Sequence, residues 1–276
     1  MSVAAQQHGL VLCDAAGAVL RPAKLWNDTT SAPQAADMVA KLGAKQWASA
    51  TGSVPTAAFT VSKLAWVAVN EPQVLARVAT VALPHDHLNH RLTGRLATDR
   101  GDASGTGYFD PADGVWRTDL LDQFVGPGPW TDRLPEVLAS TEVVGELTDA
   151  AGRDLGLIGP VLVGPGTGDN MAAALGLGLG RGQVAVSLGT SGTVFGVNDE
   201  PAADPTGAVA GFASADGRYL PLVCTLNATK VTDAIGRLLG VDTAGLAELA
   251  AQPSGGTAGL VLVPHLDGER TPNRPD

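Results

Sequence analysis

The chain has 276 residues, of which 45% are hydrophobic, 17% are charged and 4% are aromatic, and its formal net charge is −10 at pH 7. This composition excludes a largely disordered protein, and the length suffices for one large domain or two ordinary ones. Because the chain is acidic and has no Lys/Arg cluster, we exclude nucleic acid and anionic membrane surfaces as partners.

Several absences predict a cytoplasmic protein. No uninterrupted apolar run reaches the roughly 18 residues that a membrane-spanning helix requires, and no signal peptide precedes the first predicted strand. Cys13 and Cys224 lie far apart in apolar surroundings. We therefore expect two free thiols in a reducing compartment rather than a disulfide or a metal site.

The first 160 residues are predicted to alternate between short strands and helices. Strands are expected at 2–5 and 8–12, where apolar residues dominate. The spacing of apolar residues predicts amphipathic helices over 31–43 and 59–71. A third helix is predicted over 86–94, with Asp86 as its N-cap. Together with a composition rich in small residues, this order favours an α/β fold.

Three histidines stand close together at the start of the third helix. His85, His87 and His90 do not fall on one helix face, so the spacing favours a solvated helix start over a metal site. The next segment, 97–110, combines glycines with acids and hydroxyls and is predicted to be a polar loop that lines a cleft.

The stretch VLVGPGTGDNMAAALGLG, residues 161–178, has the pattern of a strand, a glycine loop and a helix. Residues 161–163 are predicted to form a buried strand, and the Ala/Leu-rich residues after Asp169 a helix. A strand that runs through a glycine loop into a helix is a common site of chemistry in α/β proteins. Asp169 is therefore either a catalytic acid or an ordinary N-cap, and the local pattern leaves both open.

The remainder predicts a hairpin over 185–197, helices over 227–239 and 243–251, and strands over 219–223 and 259–264. The hairpin turn GTSG offers closely spaced amides and hydroxyls, which suit either an anion site or a plain turn. The Walker A, dinucleotide-binding, HExxH, paired CxxC and GxSxG motifs are all absent from the sequence.

Several segments, in order, are similar to the xylulokinases of the FGGY carbohydrate kinase family. They are AQQHGLV, LWND, FTVSKLAWVAVNEP, LPHDHLNHRLTG, ATDRGDASGT, GTGDNMAAALG, SLGTSG and HLDGERTP, and they span essentially the whole chain. Some positions depart from the family pattern. Gln7 stands where Met is more usual, Thr30 where Arg is often found, and Ala58 and Val69 fall outside the usual residue classes.

The resemblance implies a ribonuclease-H/actin-like ATPase fold with two domains, both incomplete: a sugar-binding domain over 1–181 and a nucleotide-binding domain over 182–276. It implies ATP-dependent phosphorylation of D-xylulose to D-xylulose 5-phosphate, with Mg²⁺ as the metal and no metal ligand assigned in this chain. A sugar and ATP are the expected partners, and the resemblance allows a homodimer.

The resemblance also assigns roles to single residues. Asp169 would be the catalytic base. The substrate-binding residues would be Gln7, His8, Asp169 and Asn170. The residues that bind the ATP phosphates would be Gly189, Thr190 and Gly192. These assignments are expectations carried over from the matching motifs.

Two segments typical of such kinases, a first phosphate loop and an adenosine-binding segment, have no counterpart here. We therefore expect the 276-residue chain to be an inactive or partial form. Three alternatives stay open: another FGGY kinase acting on gluconate, ribulose or a polyol such as glycerol, a non-catalytic sugar-binding remnant, or a gene-model fragment. Glycerol kinases would show an Arg-Glu pair in place of Gln7-His8, which favours a ketopentose.

Overall fold

The computed structural model describes residues 1–252, 256–257, 259–266, 268–271 and 274. The chain divides into two compact units. The first unit combines Met1–Gln183 with Gly196–Pro221, and the second combines Val184–Phe195 with Leu222–Asp276. The functional boundary between 181 and 182 stays a prediction.

The described residues form short strands and helices that alternate through most of the chain. The strands are β1 (Ala4–Ala5), β2 (Val11–Cys13), β3 (Thr80–Ala82), β4 (Ala97–Asp99), β5 (Phe109–Asp110), β6 (Val115–Trp116), β7 (Glu136–Leu138), β8 (Gly145–Glu146), β9 (Leu162–Val163), β10 (Thr167–Gly168), β11 (Val184–Leu188), β12 (Gly192–Gly196), β13 (Ala210–Ala213) and β14 (Tyr219–Thr225). The helices are α1 (Ala32–Leu42), α2 (Ala44–Thr51), α3 (Thr60–Asn70), α4 (Pro72–Leu75), α5 (Pro84–Thr93), α6 (Arg100–Ala103), α7 (Thr118–Phe124), α8 (Trp130–Arg133), α9 (Asp149–Leu155), α10 (Asp169–Gly176), α11 (Thr229–Leu239) and α12 (Thr243–Ala251).

Most of the predicted helices are confirmed. Helices α1 and α3 match the periodic segments 31–43 and 59–71, and Gly43 ends α1 with a φ of 89°. Helix α5 begins earlier than predicted, at Pro84, so Asp86 is not its N-cap. Instead the Asp86 carboxylate accepts the backbone N–H of Leu83 at 2.7 Å, which satisfies one of the unpaired donors at the helix start.

Four predictions were wrong in part. Segment 97–110 is not a loop: it begins with β4 and α6, and both are buried. His85 is fully buried, so the start of α5 is not solvated. Strand β9 covers only Leu162–Val163, and Leu162 is 56% exposed. Residues 259–264 are irregular, and the strand predicted there is absent from these described residues.

The most informative strand pairing of the first unit joins two strands that are far apart in sequence. Strands β1 and β10 are parallel, with Ala4 opposite Thr167 and Ala5 opposite Gly168. In a parallel pair both strands end at the same edge of the sheet. The residues that follow β1 and those that follow β10 therefore lie side by side, although about 160 positions separate them in the sequence.

In the second unit, β12 and β14 form an antiparallel pair that runs from Gly192 opposite Thr225 to Phe195 opposite Leu222. Strands β11 and β12 are neighbours in the same sheet, which confirms the predicted hairpin. Helices α11 and α12 confirm the two helices predicted after 226. Among the residues that the structure describes, none of the helices has the length and apolar character needed to cross a membrane.

Candidate functional site

The parallel pairing of β1 with β10 builds the candidate site in the first unit. Gln7 and His8 follow β1, and Asp169 and Asn170 follow β10. The Nδ2 group of Asn170 donates to Gln7 Oε1 at 3.2 Å, so the two predicted sugar-binding segments are in direct contact. Side chains at the carboxyl ends of adjacent parallel strands are where α/β folds place their ligands.

Asp169 is the first residue of α10, and it is partly buried but still reaches solvent. Its Oδ1 atom accepts two hydrogen bonds from Asn170, one from the backbone N–H at 2.8 Å and one from Nδ2 at 3.0 Å. Partial burial raises the pKa of the Asp169 carboxyl, and the bonds from Asn170 oppose that rise. A carboxylate with a raised pKa that still reaches solvent is suited to accept a proton from a ligand.

Gln7 has one satisfied and one unsatisfied end. Its side chain is 5% exposed, Oε1 accepts from Asn170, and Nε2 is buried without a hydrogen-bond partner. A buried amide donor without a partner is costly, which makes it a natural donor to a ligand oxygen. The three hydrogen-bonded residues Asp169, Asn170 and Gln7 thus offer a ligand the acceptor carboxylate of Asp169 and the donor Nε2 of Gln7.

Gly168 is needed because Gln7 approaches its backbone closely. A Cβ atom at position 168 would lie 2.7 Å from Gln7 Cγ and 3.1 Å from Met171 Sδ. We predict that Gly168→Ala lowers the free energy of unfolding by about 1–3 kcal/mol, the usual cost of overpacking. Urea unfolding measures this loss.

The matched control is Gly176→Ala, at the last position of α10, the helix that begins directly after Gly168. A Cβ atom there meets nothing within 4 Å. The control should raise the unfolding free energy by up to about 1 kcal/mol, because alanine is the better helix former. Equal effects at the two positions would contradict the steric argument for Gly168.

His8 is held in an unusual backbone conformation, with a φ of 67°. Its Nδ1 atom lies 2.5 Å from the carbonyl oxygen of Gly105. A carbonyl only accepts, so Nδ1 is the donor in this contact. The ring also packs against Phe59, with the centroids 4.8 Å apart, and against Phe212, with the centroids 5.6 Å apart. A non-glycine residue at positive φ is often found where function requires it.

The three predicted phosphate-binding residues lie in the second unit, at the β11–β12 turn. The carbonyl of Gly189 accepts from the backbone N–H of Thr229 at 2.9 Å, and that of Thr190 accepts from Ala228 at 3.1 Å. The turn therefore caps the start of α11 with its carbonyls. The N–H of Gly189 donates within the turn to the carbonyl of Ser191 at 2.9 Å. Gly189 and Thr190 are exposed, whereas Gly192 is buried at the start of β12.

The first unit contains a buried charged cluster that was not predicted from the sequence. The Nδ1 atom of His85 lies 3.2 Å from Asp86 Oδ1 and 3.5 Å from Asp102 Oδ2, and all three side chains are at most 1% exposed. Burial alone would favour the neutral ring, but the two carboxylates outweigh it and raise the pKa of His85 to about 9. Burial raises the pKa of Asp102 well above its ordinary value.

The pattern of acids beside His85 in LPHDH and ATDRGD was the available signal for this cluster. Within the described part of the chain, His85, Asp86 and Asp102 are the group of three close enough to hold a metal ion, with ligand atoms within 4.8 Å of one another. Magnesium bound through nucleotide phosphates keeps several waters, which a fully buried cluster does not accommodate. We therefore assign no residue of this chain to a nucleotide-bound metal.

Comparisons with known proteins agree with this architecture. The model of the FGGY family of carbohydrate kinases, N-terminal domain, matches residues 1–176. A protein described as xylulose kinase from Streptomyces rubiginosus is 49% identical over all of this chain and 55% of its own length. The xylulose kinase of Streptomyces coelicolor is 50% identical over the same shares. The chain thus spans about half the length of the curated relatives it matches.

Solved structures give the same result. The crystal structure of xylulose kinase from Bifidobacterium adolescentis is 42% identical, with a TM-score of 0.88 over 99% of this chain and 62% of that one. This likeness confirms the predicted α/β ribonuclease-H/actin-like ATPase fold. The matched family model, the sequence identity and the shared fold show that the chain belongs to the FGGY family of carbohydrate kinases.

Proposed function

We propose that this chain forms the sugar-binding and part of the nucleotide-binding portion of an ATP-dependent D-xylulose kinase. The observation that carries the proposal is the contact of Gln7 with Asn170 and of Asn170 with Asp169 at one sheet edge. The high identity to proteins described as xylulose kinases supports D-xylulose as the sugar. Mg²⁺, a cytoplasmic location and a homodimer belong to the same proposal.

The proposed chemistry is the transfer of the γ-phosphoryl group of ATP to the terminal hydroxyl of D-xylulose. The hydroxyl oxygen forms a bond to the γ-phosphorus while the bond from that phosphorus to the β,γ-bridging oxygen breaks, which releases ADP. Asp169 accepts the hydroxyl proton, and its raised pKa suits this task. The donor Nε2 of Gln7 would bind another sugar oxygen, and His8 would position the sugar beside it.

The exposed turn of Gly189 and Thr190 would bind the ATP phosphates through its amides and the threonine hydroxyl, with Gly192 at its base. The amide of Gly189 would exchange its bond to Ser191 for a phosphate oxygen. Bound together with ATP, Mg²⁺ would neutralise charge on the β- and γ-phosphates.

A substrate panel tests the proposal. We define the completed kinase as this chain flanked by those parts of the Streptomyces rubiginosus relative that lie outside the matched region. ADP release is measured with D-xylulose, D-ribulose, D-gluconate and glycerol. We expect D-xylulose to have the highest kcat/KM, at least about 10-fold above the others, because buried polar groups of a site reject ligands that leave them unpaired. Preference for another sugar would select another kinase of the family, and saturable D-xylulose binding without ADP release would select the non-catalytic alternative.

A further inference from the structure

The backbone that leads into Asp169 is fastened by buried side chains at two points. The carbonyl oxygen of Pro165 accepts a hydrogen bond from Asn89 Nδ2 at 2.8 Å and another from His85 Nε2. The hydroxyl of Thr167 donates to Asp99 Oδ2 at 2.7 Å. Asn89, His85, Thr167 and Asp99 are all at most 4% exposed.

At the second of these points, the Asp99 carboxylate makes several hydrogen bonds. Asp99 also accepts the backbone N–H groups of Gly101 and Asp102, each at 2.9 Å, and so caps the start of α6. With Thr167 as its third donor, the Asp99 carboxylate links three segments of the first unit: β4, the start of α6 and β10. Charge-assisted bonds of this kind are short and directional, so they fix the position of the hydroxyl and of the backbone that carries it.

Asp169 has little to hold it in place apart from this backbone. Among the described residues, the Asp169 carboxylate accepts its hydrogen bonds from the adjacent Asn170, and no side chain caps α10. Strand β10 has only two residues, Thr167 and Gly168, of which only Thr167 has a side chain. The orientation of the carboxylate thus depends on how firmly Thr167 and its neighbours are held.

We propose that Thr167 is a positioning residue for Asp169 and that Asp99 acts through it. The inference rests on the proposed function, because it takes Asp169 to be the base that receives the proton of the sugar hydroxyl. The Thr167–Asp99 hydrogen bond holds β10 in the register in which Asp169 meets the ligand. The bonds of Asn89 and His85 to Pro165 hold the strand from its other end.

The test is Thr167→Val in the completed kinase, with Thr167→Ser as the conservative variant. Valine keeps the shape of threonine and loses the hydroxyl, whereas serine keeps the hydroxyl. We expect valine to lower kcat at least about 10-fold and to leave KM for D-xylulose within about twofold, because a misplaced base slows chemistry without weakening sugar binding. Serine should restore kcat to within about threefold of the unsubstituted enzyme.

Thr98→Val is the matched control. Thr98 is a fully buried threonine of β4, and its hydroxyl makes only a 3.5 Å contact with the carbonyl of Asp99. The control should leave kcat within about twofold. A kcat for Thr167→Val within twofold of the unsubstituted enzyme, or equal losses for valine and serine, would overturn the proposal.

Two further measurements keep the outcomes separate. Asp169→Asn is assayed in parallel: if it retains kcat, the proposed function fails, and if it loses kcat while Thr167→Val does not, only the positioning role fails. Circular dichroism melting shows whether each variant is folded.

If Thr167→Val is unfolded, Asn89→Ser replaces it, since it removes a donor to Pro165 at the other end of the strand. A loss of kcat with unchanged KM then supports the proposal, and unchanged kcat overturns it.

Discussion

In the completed kinase, Asp169→Asn should lower kcat for D-xylulose at least about 100-fold, which is the lower range of general-base contributions. Asparagine keeps an oxygen at the position where Asp169 Oδ1 accepts from the backbone and the side chain of Asn170. It cannot accept a proton from the sugar hydroxyl. The fold and the sugar contacts are therefore preserved while the base is lost, and initial-rate kinetics measure the difference.

A matched control separates the base from an ordinary helix-start acid. Asp149 is an exposed aspartate at the first position of α9, as Asp169 is at the first position of α10. Asp149→Asn should leave kcat within about twofold. If the two substitutions had similar effects, Asp169 would be a capping residue and the assignment of the base would be wrong. As pH is lowered, Asp169 becomes protonated and kcat/KM falls. Because the pKa of Asp169 is raised, this fall should occur at a higher pH than the ordinary titration range of an aspartate.

The second large effect concerns the stability of the chain between neutral and alkaline pH. His85 has a pKa of about 9 in the folded chain, against 6.5 for an ordinary histidine. A raised pKa means that the proton stabilises the folded state, so this contribution is complete below about pH 6.5 and is lost as pH rises through about 9. The shift corresponds to up to about 3 kcal/mol of the free energy of unfolding.

The acids around His85 act in the same direction. Burial raises the folded pKa values of Asp99 and Asp102, and a carboxyl whose pKa is raised by folding likewise loses its stabilising contribution as pH rises through that pKa. Urea unfolding of the 276-residue chain at pH 6.5 and at pH 9.5 should show the loss as a lower midpoint. His85→Gln should remove the part of this pH dependence that His85 contributes, since glutamine does not titrate.

His87→Gln is the control for this experiment. His87 lies on the same helix, but burial lowers its pKa, so it gains no stabilising proton on folding and its replacement should not reduce the loss of stability toward alkaline pH. A chain whose urea midpoint stays constant from pH 6.5 to 9.5 would contradict the charged state of His85. So would a His85→Gln variant that keeps the full dependence.

The spacing of apolar residues predicted the amphipathic helices well, but residue type predicted the structure of the polar segments between the elements poorly. Helices α1 and α3 follow from an apolar stripe that only a helix can bury on one side. A loop was wrongly predicted for the segment ATDRGDAS because its acids and glycine are typical of loops. In the folded chain Asp99 uses its carboxylate to cap α6 and to bind Thr167, two partners that are 2–3 and 68 residues away, respectively. The second partner is invisible to local patterns.

In the candidate site too, the sequence indicated single residues but not the contacts between them. The local pattern at Asp169 left a catalytic acid and an N-cap open, and the motif order indicated the family and with it the roles expected of Gln7, His8 and Asp169. The contact between Gln7 and Asn170 depends on the parallel pairing of β1 with β10, which a two-residue strand does not reveal in sequence. His85 was misjudged because helix-face spacing takes no account of acids from another element, here Asp102 of α6.

The central claim is that Asp169 activates the terminal hydroxyl of D-xylulose for phosphoryl transfer, and identification of the product by phosphorus NMR tests it most directly. The completed kinase is incubated with ATP, Mg²⁺ and D-xylulose, beside its Asp169→Asn variant. We expect the signal of D-xylulose 5-phosphate from the completed kinase, with an initial rate at least about 100-fold lower in the variant. A phosphate on another hydroxyl, inorganic phosphate as the sole product, or equal rates in the two proteins would contradict it.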